Sequence, residues 1–367
     1  MGRILVVGDL HCKKQIWAGR PDIRGDLEST IRQLVEVVRD RQGEPRIGTV
    51  VFAGDTFDDP YPMDEVVRTL QKAVQELHAM EVFCLGITGN PGHDQGTDWL
   101  NVCGIRNAVV PSLLPLEGVP TYLVPFTADT EALQKTLAQC PPDAKLLIGH
   151  QMGRWIIDIP GRWNLDPEWL PAWIKLAVFG DSHMPSEHKV GDKTLIYTGS
   201  LYPLGLDELS PRSFLVLNEG LSYCRIPVKN RRIVYRDILG ASQLQSDLAK
   251  LVADLKPTAA DDPELKPLAA IRLAEAAAGD EGKVRAAVEP VASLMLIPSA
   301  KEKIEVTVAE SDEVRTDLQI LQELEGDSET VAFASTLLQS ADPRKILSDF
   351  RDKCVAPKEV VSGSVTA

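Results

Sequence analysis

The 367-residue sequence predicts an α/β protein. Two observations carry this. From the N-terminus on, short apolar runs alternate with amphipathic helical stretches in the order β-α-β-α-β. Five of those runs stop at a glycine followed by Asp, Asn or His, at the strand ends where α/β sheets place their chemistry. Composition agrees: 44% hydrophobic and 25% charged residues are ordinary for a globular chain, and the length allows one large domain plus a smaller one.

The first run, 3–8, ends in Gly8-Asp9-Leu10-His11. A helix is expected over 26–40, where Leu27, Ile31, Leu34, Val35 and Val38 share a face. The run 47–53 ends in Gly54-Asp55; its uninterrupted apolarity suits a strand buried on both faces, and Gly54 permits a sharp turn. A second helix, 64–80, would bury Val67, Leu70, Val74 and Leu77. The run 82–87 leads into Thr88-Gly89-Asn90-Pro91-Gly92-His93-Asp94. Further strands are expected at 121–124, 145–148, 176–179, 194–197, 214–217 and 223–228, with a short helix near 131–139 and a Trp- and Pro-rich loop at 153–173. The 145–148 run ends in Gly149-His150, and the 176–179 run in Gly180-Asp181-Ser182-His183.

The texture changes after 228. Residues 1–235 read as one domain, 236–327 as a smaller α/β module, and 328–367 as a helical segment with a tail, a candidate for partner docking. In the module, 242–255 is a helix with Leu244, Leu248, Leu251 and Leu255 in line, and 257–267 is a linker. Segment 269–278 reads as helix by its alanines and as strand by Ile271 and Leu273. Strands follow at 294–297 and 303–308, a helix at 313–324, and a helix start at Asp342-Pro343.

A formal net charge of −14 weighs against a nucleic-acid partner, yet 24 acids and 14 bases fall in 237–367, so the first 236 residues are nearly balanced. Six cysteines without C-x-x-C spacing suggest neither a zinc knuckle nor a disulfide framework, but buried thiols in a reducing, cytoplasmic setting. Met1 leads straight into a strand, so no leader peptide is expected. No apolar run reaches the ~18 residues of a membrane helix.

In order, the strand-end donors are Asp9, His11, Asp55, Asn90, His150, Asp181 and His183. All are oxygen or imidazole donors, which suits octahedral manganese, iron or magnesium better than structural zinc. Seven are too many for one ion and about right for two. A pair needs a shared carboxylate, and Asp55 is the natural bridge. Two ions about 3.5–4 Å apart can polarise a phosphate and generate a nucleophile near neutral pH.

This ordered set resembles the calcineurin-like metallophosphoesterases, and among them is most similar to the SbcD-type DNA double-strand-break repair nucleases. Gly54-Asp55-Thr56-Phe57-Asp58 and Tyr197-Thr198-Gly199-Ser200 carry the finer likeness. It covers 1–235 strongly and the rest weakly, with the module after 235 in the place of the family's capping domain. The resemblance implies a two-sheet α-β-β-α sandwich. It implies a first metal held by Asp9, His11, Asp55 and His183, and a second by Asp55, Asn90, His150 and Asp181. It implies His93 as the group that contacts the phosphate and protonates the leaving oxygen. The cofactor would be two divalent ions, manganese or magnesium. The activity would be DNA hydrolysis, as a 3′–5′ exonuclease with single-strand endonuclease activity. The partners would be DNA, an SbcC-type coiled-coil ATPase and a second copy of the chain. Two alternatives stay open: a phosphoesterase acting on a small or protein-bound phosphate, and an assembly subunit that has lost turnover.

Three departures from the family pattern stand out. Pro91-Gly92 separates Asn90 from His93, Asp181 replaces a histidine, and Asp58 stands where a histidine is frequent. Asn90-Pro91-Gly92-His93 is expected to close as a type II turn that returns His93 to the site, with Asp94 orienting its ring. Lys229, Arg231, Arg232 and Arg236 read equally as a DNA-backbone contact or an inter-domain turn; Lys13, Lys14, Arg154 and Arg162 are better phosphate candidates. Trp155, Trp163, Trp169 and Trp173 would stack on bases or close over their own core, and His78 and His188 read as structural.

Overall fold

The computed structural model describes residues 2–297, apart from 15, 18–19, 21, 44, 95–97, 158, 160–162, 207, 239–243 and 274–278. Strands β1 (Arg3–Val7), β2 (Ile47–Phe52), β3 (Phe83–Ile87) and β4 (Arg106–Ala108) run parallel in a first sheet. A second sheet takes β5 (Ser112–Leu116), β6 (Val119–Val124), β7 (Leu146–His150), β8 (Leu176–Gly180), β9 (Ser186–Val190) and β10 (Lys193–Tyr197), in the order β5-β6-β7-β8-β10-β9. The chain then returns to the first sheet with β11 (Ser213–Leu217) and β12 (Tyr223–Pro227), so that its order is β12-β11-β1-β2-β3-β4.

Alternation along the strands explains why the two sheets stack. Ile4, Val6, Val51, Leu85 and Ile87 point inward and meet Leu123, Leu146, Ile148, Val178 and Ile196 of the other sheet. Leu5, Val7, Val50, Phe52 and Cys84 point outward beneath helices α1 (Asp26–Arg39) and α2 (Asp64–Ala79), which bury Leu27, Ile31, Leu34, Leu70, Val74 and Leu77 against them. On the far side Tyr122, Leu147, Ala177 and Phe179 lie under Leu133 and Leu137 of α4 (Thr130–Ala138), beyond the one-turn α3 (Trp99–Val102). Each side chain fully removed from water contributes about 1.5–3 kcal/mol, which is why the strands are apolar on both faces. The layers are therefore α-β-β-α, the two-sheet sandwich expected.

A third, all-parallel sheet follows: β13 (Ile233–Ile238), β14 (Leu268–Leu273) and β15 (Ser293–Ile297), packed with α5 (Leu244–Asp254) and α6 (Glu281–Val288). The ambiguous 269–278 segment is strand as far as Leu273; Ala269 and Ala270 are fully buried and lack the bulk to hold neighbours apart. Tyr235 sits mid-strand in β13, and residues 228–232 form the crossing from β12 of the first sheet to β13 of the third. The one-turn α3, the short β4, the edge strands β5 and β9, the charged β13 and the helix α6 have no counterpart in the sequence reading. The expected elements at 303–308 and 313–324, and the segment 328–367, lie outside the described residues. No helix among the described residues is long and apolar enough to cross a membrane.

The crossing consumes most of the basic cluster. Arg231 is buried; it donates to both Asp26 oxygens at 3.0 and 2.9 Å, to the Arg24 carbonyl at 2.7 Å, and to the Lys266 carbonyl. Arg232 donates to the Asp254 carbonyl and Arg236 to its carboxylate. These arginines clamp the small sheet together and onto α1, as the inter-domain-turn reading of the cluster expects. Asp26→Ala would leave the Arg231 guanidinium buried without its counter-charge, at a cost of about 3–5 kcal/mol. Urea unfolding should show that loss, and Asp26→Leu combined with Arg231→Met should recover much of it.

Candidate metal centre

Parallel pairing sets the carboxyl ends of β1, β2 and β3 side by side, with Val7 opposite Phe52 and Phe52 opposite Gly86. In the second sheet His150 lies opposite Gly180. The sheets touch here: His150 Nδ1–H donates to the Ala53 carbonyl at 2.7 Å. Such closeness leaves no room for side chains in between. A Cβ on Gly54 or Gly180 would strike the His150 ring, and one on Gly89 would strike Asp55. The glycine before a donor is thus a requirement of sheet contact, and at Gly54 (φ 87°) also of the turn.

Four donors lie in the left-handed region: Asp9 (φ 46°), His11 (42°), Asp55 (47°) and Asp181 (85°). Each non-glycine residue there costs on the order of 1–3 kcal/mol, and such strain gathers at functional sites. Its effect is to aim each side chain toward the same point.

His11 Nε2 lies 3.1 Å from His183 Nε2, and Asp9 completes a group whose ligand atoms fall within 4.8 Å of one another. Both rings are fixed from behind. His11 Nδ1–H donates to the Asp58 carboxylate at 3.1 Å, and His183 Nδ1–H to Glu208 Oε1 at 2.7 Å. Two Nε2 atoms thus converge on the Asp9 carboxylate, whose buried Oδ2 has no hydrogen-bond partner. A cation satisfies all three, so the donors fit a metal. Next to them Asp9, Asp55 and His150 form a second such group, with His150 Nε2 3.3 Å from Asp55 Oδ1. Asp181 Oδ1 lies 3.8 Å from His150 Nε2. Asn90 Nδ2 donates to Asp55 and to Asp181, each at 2.9 Å; turning the amide over would present its oxygen instead. All seven expected donors are brought together.

The charges are mutually supported. Burial works against the Asp55 anion, but the charge and hydrogen bond of His150, with His11 and His93, outweigh it and hold the carboxyl below its ordinary value. Burial likewise opposes protonation of His150, yet Asp55, Asp9 and Asp181 push its pKa up to about 10. Asp9 goes the other way: burial dominates and raises it.

Asn90-Pro91-Gly92-His93 does close, with His93 N–H donating to the Asn90 carbonyl at 3.0 Å. It is not type II, because Gly92 stays out of the left-handed region. Asp94 does not take the expected role either. Its carboxylate accepts from the backbone N–H of Thr56, Phe57 and Gly89, anchoring the loop that carries Asp55, and the Asp58 carbonyl holds His93 Nδ1 at 2.8 Å. Three unfulfilled backbone donors are a stronger draw for a buried carboxylate than one ring nitrogen. Sequence reasoning missed Glu208, Arg212 and Tyr202, whose hydroxyl donates to the His11 carbonyl at 2.7 Å; none follows a strand end, so no motif marked them. Trp155 packs on Phe179 and Tyr197, and Trp163 on Trp169, so these tryptophans close over the protein itself.

No family model matches the chain. Of solved structures, Vps29 of Entamoeba histolytica complexed with zinc covers 62% of this chain and 99% of its own, at 15% identity and a TM-score of 0.30. The DNA double-strand break repair protein Mre11 of Methanosarcina mazei is 25% identical over 260 residues, which is 64% of this chain and 39% of that protein. The protein of the same name from Halobacterium salinarum is 22% identical over 227 residues, 59% and 56% of the two chains. The α-β-β-α sandwich is the fold that the resemblance of the sequence to the calcineurin-like metallophosphoesterases implies. The chain spans between about two fifths and somewhat over half the length of these curated relatives.

His150, its pKa pushed up to about 10 by Asp55, Asp9 and Asp181, would hold a proton at pH 7 before an ion binds; a divalent cation needs the neutral ring. Ion uptake should therefore release protons, and affinity should fall as pH falls. Calorimetric titration with Mn²⁺ in two buffers of different ionisation enthalpy should give different apparent enthalpies. Equal enthalpies would mean that no proton is displaced. Asp55→Ala should abolish uptake of both ions.

Proposed function

We propose that the chain is a metal-dependent phosphodiesterase acting on DNA, the nuclease subunit of a break-repair complex. One observation carries this reading: seven oxygen and imidazole donors from five strand ends of two sheets converge, with His93 at their rim. The name borne by the curated relatives supports DNA as the substrate.

Asp9, His11, Asp55 and His183 would hold one ion, and Asp55, Asn90, His150 and Asp181 the other. When bound, such a pair neutralises phosphate charge and lowers the pKa of attacking water. The protein's own groups do the rest. His93 Nδ1–H is engaged by the Asp58 carbonyl, which leaves Nε2 facing the site, 3.8 Å from Asp55 Oδ2. From there the ring, when protonated on both nitrogens, would give its Nε2 proton to the leaving oxygen and return to the neutral Nδ1–H form. Asp58 also binds Lys13 Nζ at 3.1 Å, so that one residue positions a ligand histidine, the proton donor and a lysine at the rim. Lys13 would meet a substrate phosphate. We assign the small sheet after 232 to a cap over the nuclease domain, and 328–367 to partner docking. Manganese as the native ion, 3′–5′ polarity, single-strand endonuclease activity, an SbcC-type ATPase partner and a homodimer complete the proposal.

Incubation with Mn²⁺ and labelled single- and double-stranded DNA, beside a generic phosphomonoester, separates nuclease from phosphatase and from a subunit without turnover. Cleavage of DNA that stops with a chelator is expected; hydrolysis of the monoester alone would refute the nuclease reading. His93→Ala should retain both ions and lose about 10²-fold or more in turnover. Gly92→Ala should cleave like the parent, since a Cβ there meets nothing within 4 Å and no positive φ is needed.

A further inference from the structure

The stretch between Ser200 and β11 belongs to neither sheet and carries none of the seven donors. It nevertheless reaches His183. Glu208 Oε1 accepts the His183 Nδ1–H at 2.7 Å, while Oε2 accepts from the Leu204 N–H at 3.2 Å and from Arg212 Nη2 at 3.3 Å. Arg212 is fully buried, and its guanidinium also donates to the carbonyls of His183 and Glu208. Both the ring and the backbone of His183 are therefore held by one pair of residues.

The four histidines of the site are not held alike. His150 and His93 give their Nδ1–H to backbone carbonyls, those of Ala53 and Asp58. His11 and His183 give theirs to carboxylates. A carboxylate behind an imidazole fixes the tautomer, fixes the ring plane and makes the far nitrogen a stronger donor. Asp58 does this for His11, but it is shared with Lys13. Glu208 does it for His183 under the grip of a buried arginine, whose pull also limits the rotamers open to the carboxylate.

We infer that Glu208, locked by Arg212, is the positioning residue for His183 and sets the affinity of the ion that His183 and His11 share. This rests on the two-ion reading of the site. Glu208 touches neither substrate nor ion; it acts through the ring. Without it the ring can rotate or exchange its tautomer, and Nε2 no longer faces His11 Nε2 at 3.1 Å. The affinity of the neighbouring ion does not depend on this contact, because His150 is fixed by Ala53.

Mn²⁺ titration followed by electron paramagnetic resonance counts free against bound ion without recourse to activity. Full-length parent should bind two ions; a parent that binds none would refute the two-ion reading itself, not the role of Glu208. Glu208→Ala should weaken one of the two binding steps about 10–100-fold and leave the other within a factor of two. Glu208→Gln keeps an acceptor for Nδ1–H and should recover part of the loss, and it serves as the folded comparison where the alanine variant does not fold. At saturating Mn²⁺ the Gln variant should approach the parent's kcat, so that the defect appears in metal dependence and not in maximal rate. Two unchanged binding steps in either folded variant would overturn the proposal. So would an equal loss in both steps, the mark of general loosening.

Discussion

The carboxylate of Asp55 is the point to which both sheets answer. It is an anion almost entirely out of water, and such a charge persists only with partners on every side. Asn90 supplies a backbone N–H at 2.6 Å and an amide N–H at 2.9 Å, and three imidazoles lie within 4 Å. Those partners come from the ends of β1, β3 and β7, and Asp55 itself follows β2. Binding one carboxylate therefore fixes the relative height of four strand ends. The stacked aliphatic layers between the sheets set the distance, and this charge sets the register.

Meeting that constraint distorts the backbone locally. Strand ends that merely stopped would splay their side chains alternately to the two faces. Asp9, His11, Asp55 and Asp181 escape this by adopting left-handed conformations, and the glycines at 54, 89 and 180 let the turns approach one another without collision. The strain persists because hydrogen bonds hold these loops: His11 N–H to Asp55 O at 2.8 Å, Asp181 N–H to the Asp9 carboxylate at 2.8 Å, and the Asp94 brace beneath Thr56 and Phe57. Asp94 supports this geometry from beneath the Asp55 loop without being one of the seven donors.

The central strands and the long helices of the sandwich were readable because they obey local rules: apolar runs of strand length, helical faces, and punctuation by glycine. The donors were readable because each follows such a run. What stayed hidden has a common cause, in that it depends on contacts far along the chain. Glu208 meets His183 across 25 residues, and Arg231 meets Asp26 across 205. A run of arginines carries the same letters whether it faces solvent, DNA or a buried aspartate. Asp94 was misread for the same reason: its neighbour in sequence suggested a ring, while its neighbours in space are backbone amides. Segment 269–278 was ambiguous because alanine favours helix in isolation and here lines the middle strand of a buried parallel sheet.

The return of β11 to pair antiparallel with β1, Ile4 opposite Leu217, has a consequence for biogenesis. At ribosomal speeds of about 5–20 residues per second, roughly 10–40 seconds separate the emergence of the first strand from that of its partner. Throughout that interval one edge of β1 offers unpaired amides and carbonyls to any passing strand. The entire second sheet is made meanwhile, so the nascent chain must shelter an open edge while it builds the other half of its core. Nor can a cation hold the first half together, since His150, Asp181 and His183 are still to come. The order of the strands thus leaves the N-terminal half open-edged until β11 emerges, and no site that uses all seven donors can be complete before His183.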